Sequence, residues 1–260
     1  MRIKEAAIGI TGRSVSLGMG RGSVYRYQHT QFSSNGRFRG GHISEDFHYI
    51  EKADVAEELI RCHFVFSEAT CEIDELVDYA EANLSHELYE AFAAHASCLH
   101  DPSLLGEIDR TIREDFVSTA SALLRVFPVR AQLPELRFDE RYDIAHCLLQ
   151  HLSDPESREF NRIPRRSVVT AVSLLPSEML RVIREGPEAV IVEHLPDNSL
   201  AALILRESGV PCVECMTGTV DTIPEGAGVL VDADAGHILF ERNVTHIPSF
   251  RSVSTKEQVR

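Results

Sequence analysis

Between residues 45 and 153 the apolar side chains recur every three or four positions, while on either side they alternate or run in short blocks. The two periods belong to different elements: 3.6 to a helix with one buried face, and 2 to a strand. A chain that passes from one period to the other and back leaves a sheet, builds a helical unit and returns. Before the helical block, "AAIGITGRSVSLGMGRGSVYRY" shows short strand patterns punctuated by Gly12, Gly18, Gly20 and Gly22. Neither a Lys-Ser/Thr pair nor a helix follows these glycines, so they make no phosphate loop, and tight strand bends are expected instead.

Inside the block, Ile73, Leu76, Val77, Ala80 and Leu84 form one helical stripe, and Leu88, Ala91, Phe92, His95, Ala96 and Leu99 a second. A third runs from Leu104 to Phe127 as one long helix, started by Asp101-Pro102 in cap and first-turn positions. Ile144, Leu148 and Leu152 mark a last helix, and a weaker one is expected around 53–66. Short connections between such helices predict an antiparallel bundle. Beyond it, "SVVTAVSLL", "EAVIVEH", "VPCVEC", "GAGVLVDADAG" and "HILFERN" read as strands and turns. "PSEMLRVIREG" and "NSLAALILRESG" read as helices, each closed by a glycine. The fold class is therefore α/β, with a discontinuous unit over 1–44 and 154–250, a helical insertion over 45–153 and a loose tail at 251–260. The polar stretch "SSNGRFRGG" at 33–41 is a connection.

Charge narrows the partners. The net charge of -14 disfavours nucleic acid, whose binding needs a basic surface. Residues 1–44 carry seven basic groups and one acidic group, whereas 45–100 carry fourteen acidic groups against Lys52 and Arg61. No apolar run is long enough to span a membrane, and the first residues lack the pattern of a signal peptide, so a soluble cytoplasmic protein is expected. Of the six cysteines, Cys212 and Cys215 form one Cys-x-x-Cys pair in a strand-like stretch, where they are expected to pack. No histidine falls into a metal-ligand spacing with carboxylates, and no cofactor is implied.

Five stretches carry a resemblance in their order along the chain: "SLGMGRGSV", "FAAHASCLHDPSL", "LLPSE", "ALILRESGVPCV" and "IPEGAGVLVDADAGHIL". Together they resemble the N-terminal half of Enzyme I of the bacterial phosphotransferase system, among the PEP-utilising enzymes. That resemblance implies a swivelling phosphohistidine domain interrupted by an inserted antiparallel α-helical bundle, which docks the phosphocarrier HPr. It also implies a G-G-x-T-S-H signature at Leu195, Pro196, Asp197, Asn198, Ser199 and Leu200, where only Ser199 matches. Leu200 stands at the phosphohistidine position, and Leu175 replaces a threonine that lies close to it in the family.

Leucine offers no nucleophile, and Pro196 stiffens a turn where glycine would admit a ligand. His194 is a substitute phosphoacceptor only as an alternative, with phosphate supplied by a separate PEP-binding protein, because the sequence stops before the family's barrel domain. The expectation is a non-catalytic docking or regulatory protein for an HPr-like phosphocarrier. Glu87 and Glu90 are the expected docking residues on an acidic face that includes Glu75, Asp78 and Glu81, although most such charges simply solvate a helix. His95 matches a family histidine on the insertion; it reads first as a hydrogen-bonded packing residue and second as a docking one.

Overall fold

The computed structural model describes residues 7–27, 48–130, 138–152 and 162–241. The connection read at 33–41, the tail at 251–260 and the boundaries read at 44/45, 153/154 and 250 lie outside them. The described elements, in chain order, begin with β1 (Ala7–Thr11), β2 (Arg13–Ser16) and β3 (Met19–Arg26). Five helices follow: α1 (Val55–Asn83), α2 (His86–Leu99), α3 (Pro102–Asp115), α4 (Thr119–Arg130) and α5 (Phe138–His151). The chain then runs through β4 (Ser167–Ala171), α6 (Pro176–Arg184), β5 (Ala189–Val192), α7 (Leu200–Ser208), β6 (Cys212–Glu214), β7 (Gly228–Asp232) and β8 (His237–Glu241).

One eight-stranded sheet has the order β1-β8-β7-β3-β4-β5-β6-β2, parallel from β3 to β6 and antiparallel elsewhere. Its two outermost members, β1 and β2, are consecutive in the chain and separated by Gly12 alone. A sheet whose first and last strands are one continuous segment has curled round on itself. Gly12 sits at the seam: its N–H donates to Gly236 O at 2.8 Å, and a Cβ there would lie 2.3 Å from the carbonyl oxygen of Glu214. The β3-to-β4 crossover carries all five bundle helices, since parallel neighbours cannot be joined by a tight turn.

The parallel strands are buried on both faces, as their apolar runs anticipate. On one face Val169, Val190, Val192 and Cys212 pack with α6, α7 and the bundle in a single cluster. On the other, Val168, Ile191, Val213 and Cys215 meet Val229, Val231, Ile238 and Phe240 inside the curl. Cys212 and Cys215 thus belong to opposite faces, as an odd spacing on an extended chain dictates. Burial pushes both thiols up, Cys215 to about 11.

Two helix boundaries differ from the periodicity. The segments expected around 53–66 and from Ile73 form the single α1, whose buried residues Leu59, Cys62, Phe66, Ala69, Ile73, Leu76 and Ala80 repeat every three and four positions. Ala69 carries the stripe through a stretch without large side chains. The long third helix divides into α3 and α4 at Phe116, which adopts φ 51. There the chain turns out to pair with 48–50: Ile50 N–H donates to Phe116 O and Ser118 N–H to His48 O. Glu58 of α1 then accepts the Thr119 N–H at 2.6 Å, capping α4.

Arg166 also has a positive φ, 60°, and is exposed before β4. A side chain in that region costs about 1 kcal/mol that glycine avoids. Arg166→Gly is expected to raise stability by about 0.5 kcal/mol, seen as a higher urea midpoint at unchanged slope. A lower midpoint would mean that the arginine side chain contributes more than the backbone loses.

Candidate functional site

Parallel strands bring their following loops to one edge, the usual place for ligands in such sheets. Here 172–175 after β4 and 193–199 after β5 share that edge. Leu200 opens α7 and is buried, 3% exposed. Ser199 caps the helix, its hydroxyl accepting from Ala202 N–H at 3.2 Å and donating to Pro196 O at 2.7 Å. Two arginines reach the same turn. Arg13 pairs with Asp197 and Glu214 and donates to Leu195 O at 3.0 Å, while Arg206 donates to Asp197 O at 2.9 Å. The cations that an oxyanion would need are already neutralised by carboxylates of the chain. Sequence reasoning missed Arg13, which lies 201 residues from Glu214; no local pattern marks such a pair.

His194 is exposed on this edge, with Nε2 3.3 Å from Thr217 Oγ1 and its backbone N–H on Val172 O at 2.9 Å. Val172 and Met216 beside it are exposed apolar residues. Glu193 points inward instead and accepts Val220 N–H at 2.8 Å.

The structure does not bring the acidic residues to this edge. Glu87 and Glu90 are exposed in the first turns of α2, and Glu90 lies 3.2 Å from His86. Ser85, which caps α2, donates its N–H to Glu207 at 2.7 Å. Glu207 is seven residues from Leu200, about 10 Å along α7. Glu75 pairs with Arg184 at 3.2 Å, so it turns toward α6.

His95 corrects the docking expectation. It is fully buried between α2, α5 and the start of α6, with its ring edge-on to Phe92 at 5.5 Å. An imidazole with no exposed surface presents nothing to a partner. Nor is it hydrogen-bonded as a packing histidine was expected to be: both ring nitrogens lack a partner, and Asp143 lies 3.7 Å away.

Around it, the seam between the bundle and α6 is polar. Ser177 gives its N–H (2.9 Å) and hydroxyl (2.5 Å) to Asp143; Gln150 joins Glu178 (3.1 Å) and Arg181 (2.6 Å). Arg181 and His151 both pair with Glu72 of α1. Glu72, Cys147 and His151 are grouped closely enough to hold a metal ion. However, the guanidinium of Arg181 already sits on Glu72 and 3.6 Å from Cys147 Sγ, so a cation of the protein's own fills that place. A cavity of about 300 Å³ opens above, lined by Arg162, Arg184, Glu75 and Glu185 among others.

The chain is thus a curled mixed sheet with a parallel half, a helical crossover insertion and a loop edge beyond β5. The family description "PEP-utilising enzyme, N-terminal" matches residues 11–137, just under half of the chain. The fold is that of the Enzyme I N-terminal domain: a solution structure of Enzyme I superposes with a TM-score of 0.70 at 20% identity, covering 89% of this chain and 92% of that one. The N-terminal domain of Enzyme 1 - Nitrogen gives 0.60 at 19%, covering 89% and 93%.

Among curated relatives, the phosphoryl donor subunit DhaM of the PEP-dependent dihydroxyacetone kinase from Klebsiella michiganensis is 23% identical over 72% of this chain and 41% of its own length. The phosphoenolpyruvate-protein phosphotransferase of Mycoplasma pneumoniae is 23% identical over 87% of this chain and 39% of its own. The chain thus spans about two fifths of the length of these relatives. Among the described residues, no helix is long and apolar enough to cross a membrane.

Proposed function

We propose that this protein is a non-catalytic, Enzyme I-like docking or regulatory module that recruits an HPr-like phosphocarrier in the cytoplasm. The observation that carries this reading is the closed turn at Leu200. The phosphohistidine position holds a buried leucine, the helix N-terminus is capped by Ser199, and both arginines nearby are paired. Such a turn has no imidazole at the phosphohistidine position, and its two arginines are engaged by Asp197 and Glu214 rather than open to a transferred phosphoryl group. Docking falls to the exposed acidic residues of α1 and α2, Asp78, Glu81, Glu87 and Glu90, which attract a basic surface and speed encounter.

A second reading rests on one observation: His194 is exposed at the strand edge with a hydroxyl partner, Thr217. It makes His194 the phosphoacceptor, loaded by a separate PEP-binding protein. One experiment distinguishes the two. The chain is incubated with phosphoenolpyruvate, a complete Enzyme I and HPr, and its intact mass is followed beside HPr binding at two salt concentrations. No added phosphate together with salt-sensitive binding is expected. Acid-labile phosphate that disappears in His194→Ala would establish the second reading and overturn the first. If neither phosphate nor binding is seen, both readings fail.

A further inference from the structure

We propose that Glu72, Cys147 and His151 form an exchangeable cation site at the seam, held at rest by Arg181 and open to a thiophilic divalent ion of the zinc class. Cys147 and His151 lie one helical turn apart on α5, so both side chains leave the same face, and Glu72 meets them from α1. Their ligand atoms all lie within 4.8 Å of one another. Glu72 Oε2 is the centre of the group: His151 Nε2 is 2.7 Å from it and Cys147 Sγ 4.0 Å. Thiol, imidazole and carboxylate together suit zinc, whereas magnesium and calcium take oxygen ligands.

The resident guanidinium covers this group from one side. Arg181 Nε sits on the other carboxylate oxygen, Oε1, and its Nη1 donates to Gln150 Oε1 at 2.6 Å. Its Nη2 reaches the group at one point, 3.6 Å from Cys147 Sγ, where sulfur is a weak acceptor. An ion entering between Oε2, Sγ and Nε2 therefore displaces that weak contact and leaves Arg181 on Oε1 and Gln150. Zinc bonds of about 2.0–2.3 Å place tetrahedral ligand atoms about 3.3–3.6 Å apart. Nε2 and Oε2 must open by roughly 0.6 Å, and Sγ must close on Oε2 by roughly 0.4 Å. Sγ and Nε2 must close by no more than about 1.2 Å. Movements of that size are within the reach of side-chain torsions.

Protons and charges balance. Cys147 loses its thiol proton to solvent, and His151 gives up the Nε2 proton it donates to Glu72, to Nδ1 or to solvent, and binds through that nitrogen. Thiolate and carboxylate then offset the two charges of the ion, and Glu178 remains beside Arg181. The fourth tetrahedral position opens to the cavity of about 300 Å³ that Glu72 and His151 line, which supplies a water ligand and the entry path. Once bound, the ion ties α1 to α5 where α6 packs against both, and so tightens the seat of the bundle on the α/β unit.

The test titrates the full chain, reduced and metal-free, with cobalt(II) and zinc(II) chlorides. One cobalt per chain is expected, with a sulfur-to-cobalt charge-transfer band and the intense visible bands of a tetrahedral ion, all abolished by one equivalent of zinc. Cys147→Ser is expected to lose the charge-transfer band, and Cys71→Ser, at the exposed thiol next to Glu72 in the chain, to keep it. Arg181→Met is expected to bind more tightly, because no guanidinium competes at Sγ; weaker binding there overturns the exchange. The site itself is overturned by a chain that takes up no cobalt at equimolar concentration, or by a band that survives Cys147→Ser. A spectrum without the band overturns it too, the ion then being held by exposed pairs such as His63 with Asp109 or His100 with Asp74. Should Cys147→Ser not fold, ring-nitrogen NMR of the wild-type histidines decides. Zinc is expected to move the His151 Nε2 resonance first, and movement of His63 or His100 alone would sink the proposal.

Discussion

Replacing Gly20 by alanine is expected to destabilise the fold by about 3 kcal/mol or more. Gly20 lies in β3, at the centre of the sheet between β7 and β4. A Cβ built there meets the carbonyl oxygen of Glu188 at 2.0 Å and the Cβ of Ala189 at 2.7 Å. Neither neighbour can turn aside, because the first is main chain and the second is a strand residue locked in register with Val168. Relief requires parting of β3 and β5, and with them the parallel core of Val190, Ile191 and Val192, all fully buried. Overpacking into side chains costs about 1–3 kcal/mol. Against main chain the cost is at or above the top of that range, a large part of the stability of a typical domain. Far-UV circular dichroism and a urea titration of Gly20→Ala check this. A cooperative transition near the wild-type midpoint would mean that the strands separate easily there.

Arg181→Ala is the second change with a large expected effect. Arg181 binds the α/β unit to two bundle helices, reaching Glu72 on α1 and Gln150 and Cys147 on α5. Burial works against its charge, yet the pull of Glu72, Cys147, Tyr27 and Glu178 outweighs it and raises its basicity. Glu72 in turn is held below the usual carboxylate range: burial alone would raise it, but the His151 bond and the Arg181 charge prevail. Removing one member of this partly buried ion pair leaves the other partly desolvated without compensation, a loss of about 2 kcal/mol. Replacing both, as Glu72→Gln with Arg181→Met, is expected to recover part of that loss, because no lone charge remains. A double-mutant cycle read from urea midpoints checks the coupling, with about 1–3 kcal/mol expected. Additive single effects would show that the pair acts as two surface charges.

The sequence revealed most of the elements and little of their arrangement. Stripes such as Leu88, Phe92 and Leu99 are legible because burying one helix face imprints a period on the chain. The length of α1 was not, since Ala69 continues the stripe with a single methyl group. The break at Phe116 depends on pairing with 48–50, a contact no local window contains. The capped turn at Leu200 was largely legible: Ser199 and Asp197 announce a helix start, though not the arginines that hold it. His95 lies buried, as a packing histidine on an apolar face would; that neither ring nitrogen finds a hydrogen bond escaped, because it depends on what the neighbouring helices present there. One clue to the seam was present. Pro176-Ser177-Glu178 opens a helix whose preceding residue, Leu175, has no side chain to cap it, so the cap had to come from elsewhere.

The strand that passes through Gly12 limits how this protein can meet others. Among the described residues, its two halves leave unpaired margins of five and four residues, β1 on one side and β2 on the other. Margins that short offer little template for an added strand from a peptide or a second copy. They likewise give a partly unfolded neighbour little on which to nucleate fibrous stacking. Among the described residues, the larger exposed surfaces belong to helices and loops, whose side chains can be exchanged without reopening the ring.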